Sequence, residues 1–136
     1  MTEMRLKPYF LFPGTAREAL ELYQAVFGGD LQLNTYADFG RTDGPAESIA
    51  HGILTGPVSL YAADAGANDD AFSSTGLLFA LLGAAEPTVL HEWFEALAAS
   101  GSVIGALATQ SWGATDGQVR DAYGVTWLIG YEHADN

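Results

Sequence analysis

Cysteine is absent from this sequence of 136 residues. Disulfides, thiolate catalysis and cysteine-ligated zinc or iron–sulfur sites are therefore excluded, and the redox compartment is left open. Basic residues are scarce, since five Lys and Arg stand against 17 Asp and Glu and give a formal net charge of -12. Because phosphate contacts need cations, nucleic acid is not an expected partner, and phosphates or nucleotides are disfavoured as ligands. No P-loop or dinucleotide-binding fingerprint compensates.

Long apolar runs are also missing. The longest uncharged one, residues 76–85, has about half the length that a membrane helix needs. The first residues show no signal-peptide pattern before charged residues begin. We therefore expect a soluble protein, with the cytoplasm as the default location and no membrane partner. The 49% hydrophobic content is enough for one core without disulfide or metal support.

The first organised segment is a strand followed by a helix. Residues 6–12 predict a strand that is apolar on both faces. Residues 16–27 predict a helix with Thr15 as its N-cap, Glu18 completing a capping box and Gly28 ending it. Apolar residues at helical spacing predict one buried stripe: Ala16, Ala19, Leu20, Tyr23 and Phe27.

The same pattern recurs about 70 positions later. A strand-like run over 77–82 precedes a predicted helix over 87–99, with Pro87 at its first position and Gly101 at its end. Three stripe positions correspond: Leu20 with Leu90, Tyr23 with Trp93, and Phe27 with Leu97. The sequence thus predicts a twofold internal repeat. The alternative is that two unrelated strand–helix units look alike at this low identity.

Three further strands are predicted after each helix. They cover 31–36, 48–54 and 58–63 in the first module, and 103–110, 118–121 and 125–132 in the second. A loop is predicted at 38–47 and an irregular segment at 111–117. We expect a single domain with two βαβββ modules, the first ending near residue 64, an acidic linker over 65–75, and the second spanning about 76–136.

Short motifs accompany this repeat. They are Pro8-Tyr-Phe-Leu-Phe-Pro-Gly14, Glu18-Ala-Leu20 with Tyr23, Phe27-Gly-Gly29, His51, Asp64, Trp112-Gly113 and Asp121-Ala-Tyr-Gly-Val-Thr-Trp127. With two βαβββ modules they resemble the PhnB-like branch of the vicinal oxygen chelate superfamily, which includes glyoxalase I, bleomycin-resistance proteins and extradiol dioxygenases. The resemblance covers essentially the whole chain. It implies an α+β fold in which both modules form a curved, cup-shaped mixed sheet that holds small molecules.

The superfamily's enzymes hold a divalent metal with four side chains, typically His, Gln or Glu. Matching the helix and glycine landmarks puts the four positions near Pro8, Tyr61, Leu78 and Leu128. None of these is a metal ligand, and a shift of one residue does not improve the set. We expect no metal here and no other cofactor. PhnB-like proteins often carry a demethylubiquinone methyltransferase label, but nothing in this sequence resembles a methyl-donor site.

His51 is the best single candidate for chemistry. Alternation puts it on the inner sheet face with Ile53 and Thr55, where an imidazole could exchange a proton near neutral pH. A structural, hydrogen-bonded histidine explains it equally well. His91 is expected on a solvated helix face, and His133 in a fraying tail.

Aromatic residues are the next candidates. Trp112 and Trp127 could stack on a flat or cationic ligand, although core packing explains such residues more often. The predicted ligand-binding set is Tyr9, Phe10, His51, Tyr61, Trp112 and Trp127. Three acids could orient a ligand amine or a water, with ordinary surface carboxylates as the alternative: Glu47, Asp64 and Asp121.

Two functions fit these residues. The first is binding of a small neutral or cationic molecule without chemistry, as in bleomycin-resistance relatives. The alternative is a lyase, isomerase or dioxygenase-type enzyme with a non-standard site, which rests on superfamily analogy. An interaction module without a ligand site is a third option. We also expect a homodimer, because one βαβββ module leaves an apolar sheet face that another must cover.

Overall fold

A computed structural model describes residues 5–133. These residues contain two α-helices and eight strands in the order βαβββ, βαβββ. They are β1 (Tyr9–Phe12), α1 (Ala16–Phe27), β2 (Asp30–Thr35), β3 (Ile49–Thr55), β4 (Leu60–Asp64), β5 (Phe79–Leu82), α2 (Pro87–Ser100), β6 (Ser102–Thr109), β7 (Ala114–Arg120) and β8 (Thr126–Glu132). A short 3-10 helix, Ala37–Phe39, follows β2. The predicted α+β class and the two βαβββ modules are confirmed.

The chain divides into two units, the first ending at Phe72 and the second beginning at Ser73. Each unit has a four-stranded sheet, in the order β1-β4-β3-β2 and β5-β8-β7-β6. In both, the first strand pairs in parallel with the last, and the other neighbours are antiparallel. The predicted internal repeat is therefore present strand by strand.

Each helix packs on one face of its own sheet. The predicted stripe of α1 is buried, and so are the corresponding positions in α2: Leu90, Trp93 and Leu97. In the first unit, Gly52 lies so close beneath α1 that an added Cβ would overlap Leu20. Burying one such large side chain contributes about 1.5–3 kcal/mol, so these stripes hold each helix on its sheet.

The start of α1 corrects the sequence prediction. Thr15 makes no side-chain capping bond. The buried Asp64, at the end of β4, instead accepts the N–H of Ala16 at Oδ1 (2.9 Å) and that of Ile49 at Oδ2 (2.8 Å). A residue distant in sequence thus takes the capping role. The second helix begins with Pro87, as predicted, and proline has no N–H to cap.

The predicted irregular segment, 111–117, and the predicted linker, 65–75, are both shorter than expected. A tight turn at 110–113 joins β6 to β7, and β7 pairs with β8 along its whole length. Asp64 belongs to β4, and the N–H of Phe72 donates to the carbonyl of Leu11 (2.6 Å). The chain after β4 therefore stays attached to the first sheet as far as Phe72. Neither α-helix of the described chain is long and apolar enough to cross a membrane.

Candidate functional site

The first sheet has a face that α1 does not cover, here called the open face. Along β3, His51, Ile53 and Thr55 are more exposed than the alternating Gly52 and Leu54, which lie under the helix. The alternation predicted for His51 is thus correct. Strand pairing places the open-face residues Tyr9 and Tyr61 side by side on β1 and β4.

Three rings on the open face form an aromatic cluster: Tyr9, His51 and Tyr61. Their centroids are 5.6 to 5.7 Å apart in every pair, and the interplanar angles are 21 to 30°. The Tyr9 hydroxyl lies 2.9 Å from Nδ1 of His51. Tyr9 is 47% exposed, so the cluster presents aromatic surface to a ligand.

Lys7 also contacts this cluster, although sequence reasoning did not select it. Its Nζ lies 5.7 Å from the centroid of the Tyr61 ring, within reach of a cation–π interaction. The available signal was alternation, because Lys7 precedes Tyr9 by two positions and so faces the same side of an extended chain. One ammonium group therefore already uses this aromatic surface.

Burial raises the pKa of the Tyr9 phenol above its ordinary value, and the positive charge of Arg41 offsets part of the rise. The phenol therefore keeps its proton at neutral pH and can donate to Nδ1 of His51. In that arrangement a neutral imidazole carries its own proton on Nε2. His51 then offers an N–H donor to a ligand acceptor.

The donor set of the open face does not suit a divalent metal of the superfamily's kind. It supplies one imidazole, whose Nδ1 is paired with the Tyr9 hydroxyl, and neutral phenols. In the stretch from residue 5 to residue 133, no group of three or more His, Asp or Glu is placed to hold a metal ion.

A second interaction network fixes the loop over 38–47. The guanidinium of Arg41 lies 3.9 Å from the Tyr36 ring centroid and pairs with Asp43 at 2.6 Å. This hydrogen bond lowers the pKa of Asp43. The Tyr36 hydroxyl donates to the backbone carbonyl of Asp64 (2.7 Å). The loop thus connects to the same residue that caps α1.

Two further predicted ligand-binding residues, Phe10 and Trp127, are buried in their own units. Phe10 is 3% exposed and packs against Phe12 and Phe72 on the helix side of the first sheet. Trp127, in the second unit, is 2% exposed and donates from Nε1 to Asp121 (2.9 Å). Both side chains are core residues of their own units.

The three candidate acids differ in burial. Asp64 and Asp121 are buried acceptors of backbone and side-chain N–H groups, which corrects the interpretation of them as surface carboxylates. Glu47 is exposed. Trp112 is exposed too, at 71%, in the turn between β6 and β7 of the second unit. Local sequence did not show that the aspartates are enclosed, because burial depends on distant strands.

Two further histidines differ from their predictions. His91 is not simply solvated, because its Nε2 lies 2.9 Å from the Tyr131 hydroxyl. His133 is held rather than frayed: its N–H donates to the carbonyl of Gly113 (2.9 Å), and its Nε2 lies 2.6 Å from the Thr115 hydroxyl. The partners are distant in sequence, so the local pattern around each histidine could not reveal them.

Known proteins give this geometry a context. No family model matches the chain. Protein YjdN of Escherichia coli (strain K12) is 28% identical over 140 residues, covering 93% of this chain and 94% of that protein. The crystal structure of protein PA1353 from Pseudomonas aeruginosa is 28% identical with a TM-score of 0.80, and covers 97% of this chain and 100% of its own.

More distant structures share the fold. A Bacillus cereus PhnB protein, described as a putative 3-demethylubiquinone-9 3-methyltransferase, is 18% identical with a TM-score of 0.76, covering 96% of this chain and 100% of its own. A glyoxalase/bleomycin resistance protein from Albidiferax ferrireducens T118 is 11% identical with a TM-score of 0.60, covering 93% and 98%. The chain thus has the glyoxalase/bleomycin resistance fold.

Proposed function

We propose that the chain binds a small neutral or cationic molecule at the aromatic cluster of Tyr9, His51 and Tyr61, without the divalent metal of the superfamily's enzymes. The observation that carries the proposal is the set of three near-parallel rings on an open sheet face. Ring faces attract flat apolar groups by stacking and cations through their quadrupole. The Lys7 ammonium near Tyr61 is an internal example of the second interaction.

Charge favours a neutral or cationic ligand over an anion. Seventeen acids against five Lys and Arg give the chain a net negative charge, which at long range repels anions and attracts cations. Within the cluster, the hydrogen bond between Tyr9 and His51 fixes both rings before a ligand arrives. A ligand with a flat ring and one acceptor for the imidazole N–H would match these groups.

The test is a calorimetric screen of aromatic amines, neutral quinones and matched carboxylates, followed by His51→Ala and Tyr61→Leu. Each substitution should weaken a positive hit by about 1–3 kcal/mol, as loss of a buried hydrogen bond or stacking partner does. Gln32→Ala is the matched control, because Gln32 lies on the same sheet, on β2 next to β3, outside the cluster. Tight phosphate binding, or affinity unchanged in folded variants, would reject the site.

The hydrogen bond between Tyr9 and His51 favours one second candidate, a lyase, isomerase or dioxygenase-type enzyme that moves a proton through this pair. Mass spectrometry after prolonged incubation distinguishes the two functions. A ligand that is recovered chemically unchanged supports binding without catalysis. Turnover that Tyr9→Phe abolishes while binding persists supports catalysis. The fold does not separate the two, since one fold carries many functions.

A further inference from the structure

The second unit contains a cavity that does not involve the aromatic cluster. Its volume is about 530 Å³, within the range of roughly 300–1,000 Å³ that small-molecule sites occupy. It lies where β5, β8 and the start of α2 meet the turn between β6 and β7. Leu82 and Pro87 form its apolar wall, and Trp112 and Tyr131 supply two aromatic rings.

The charged residues that line this cavity are acidic. Two carboxylates line it, Asp116 and Glu132, and none of the described lining residues is Lys or Arg. Gln110 donates from Nε2 to Oδ1 of Asp116 (3.2 Å) and holds that carboxylate in place. Aromatic rings combined with carboxylates recognise cationic groups, whereas an anion would meet uncompensated negative charge.

The walls are fixed by hydrogen bonds from outside the cavity. His91 holds the hydroxyl of Tyr131 (2.9 Å), and the ring of His133 lies 5.9 Å from the Tyr131 ring. His133 is itself held by Thr115 (2.6 Å), another lining residue. Trp112, in contrast, is 71% exposed, so an indole ring remains available at the rim. The cavity therefore has positioned walls and one accessible aromatic side chain.

The helix start beside this cavity differs between the two units. In the first unit, Ala16 begins the helix with an N–H that needs an acceptor, and Asp64 fills that place. Pro87 begins α2 and has no N–H, so no capping carboxylate is needed. We propose that this cavity of the second unit is a second binding site, which takes an organic cation such as a quaternary or aromatic ammonium.

Tryptophan emission tests this site directly, because all three tryptophans lie in the second unit and only Trp112 is exposed. The full chain is titrated at constant ionic strength with choline, with its neutral isostere 3,3-dimethyl-1-butanol and with the anion 3,3-dimethylbutanoate. We expect choline to change the emission and to bind at least tenfold more tightly than the alcohol, with no response to the anion. Equal responses to all three would overturn the proposal.

Variants separate this site from the one in the first unit. Asp116→Asn with Glu132→Gln should weaken choline at least tenfold, and Trp112→Ala should remove the emission change. Tyr61→Leu is the control, and it should leave the choline titration within twofold. A charge-neutralised variant that binds choline as before, or a Tyr61→Leu variant that loses the signal, would contradict the assignment. Thermal unfolding midpoints verify that each variant is folded.

Discussion

Asp64 is the clearest case of one residue that local sequence could not interpret. Its place after a predicted strand suggested a linker or a surface acid, yet its carboxylate is buried and joins α1 to β3. Local sequence signals did predict the end of α1 and its buried face. Gly28 ends α1 in a positive-φ conformation, and the stripe from Ala16 to Phe27 is buried as spaced. The prediction that Thr15 caps α1 was wrong because the distant Asp64 carboxylate accepts the N–H of Ala16 at this helix end.

Replacing Asp64 therefore tests the capping role. In Asp64→Ala the N–H groups of Ala16 and Ile49 lose their buried acceptor, so unfolding free energy should fall by roughly 2–5 kcal/mol. Asp64→Asn keeps one acceptor oxygen and should lose less. Urea unfolding followed by circular dichroism measures both. Glu47 is an exposed acid nearby, so Glu47→Ala should keep the unfolding free energy within about 0.5 kcal/mol of wild type. A loss in Glu47→Ala equal to that in Asp64→Ala would contradict the capping role.

Alkaline pH should destabilise the protein through buried phenols. Burial raises the pKa of Tyr36 above its ordinary value of 10.0, with Arg41 opposing the rise. The unfolded chain therefore releases this proton at lower pH than the folded one. The stability gained from the neutral phenol is complete below pH 10 and is lost as pH rises through the folded pKa.

Urea unfolding between pH 8 and pH 11 should show this decline. Tyr36→Phe should start about 1 kcal/mol lower, because it loses the hydrogen bond to Asp64, and then decline less steeply above pH 10. Tyr9→Phe should change the slope less, since Tyr9 is partly exposed. Parallel curves for wild type and Tyr36→Phe would rule out Tyr36 as the source.

At the scale of elements, periodicity identified both helices and most strands, but of β7 only the end, because the strand was predicted over 118–121. Helical spacing of large apolar residues is strong evidence, whereas Ala114–Arg120 contains small and polar residues with little alternation. That strand is held instead by pairing along its whole length with β8. The aromatic cluster was likewise only partly predictable. Alternation oriented Tyr9 and His51, but strand order was needed to bring the β1 ring to the β3 ring.

Contact between α1 and β3 depends on a missing side chain. In Gly52→Ala the new methyl group would overlap Leu20, so stability should fall by about 1–3 kcal/mol through overpacking. Gly105→Ala is a matched control on β6, where the nearest atom to an added Cβ is 4.0 Å away. It should be close to neutral by urea unfolding. Equal losses at both positions would point to a general effect of strand glycines.

At the scale of the whole molecule, the second unit leaves large apolar side chains exposed. They are Leu77, Leu78, Leu82, Val103 and Ile104, each between 37% and 56% exposed. Leu78 and Ile104 line one shallow depression of about 340 Å³ together with Arg120. The group formed by Leu77, Leu78 and Ile104 is typical of an interaction surface.

We propose that a second copy of the chain covers this surface in a homodimer. Sedimentation velocity at micromolar concentration should give twice the mass of one chain. Ile104→Asp should shift the protein towards monomer, since a charge would be buried at the interface. Phe39→Asp, which changes an exposed aromatic residue of the first unit, should not. A wild-type protein that sediments as a monomer would defeat the proposal.

The two hydrogen bonds that the Asp64 carboxylate accepts also affect the order in which the first unit can fold during synthesis. Because β1 pairs with β4, the aromatic residues of β1 have no neighbouring strand until about fifty further residues have left the ribosome. Asp64 is the last residue of that strand, and it also completes the start of α1. Sheet closure and helix capping in the first unit therefore both need β4, and the nascent chain cannot complete either before Asp64 emerges.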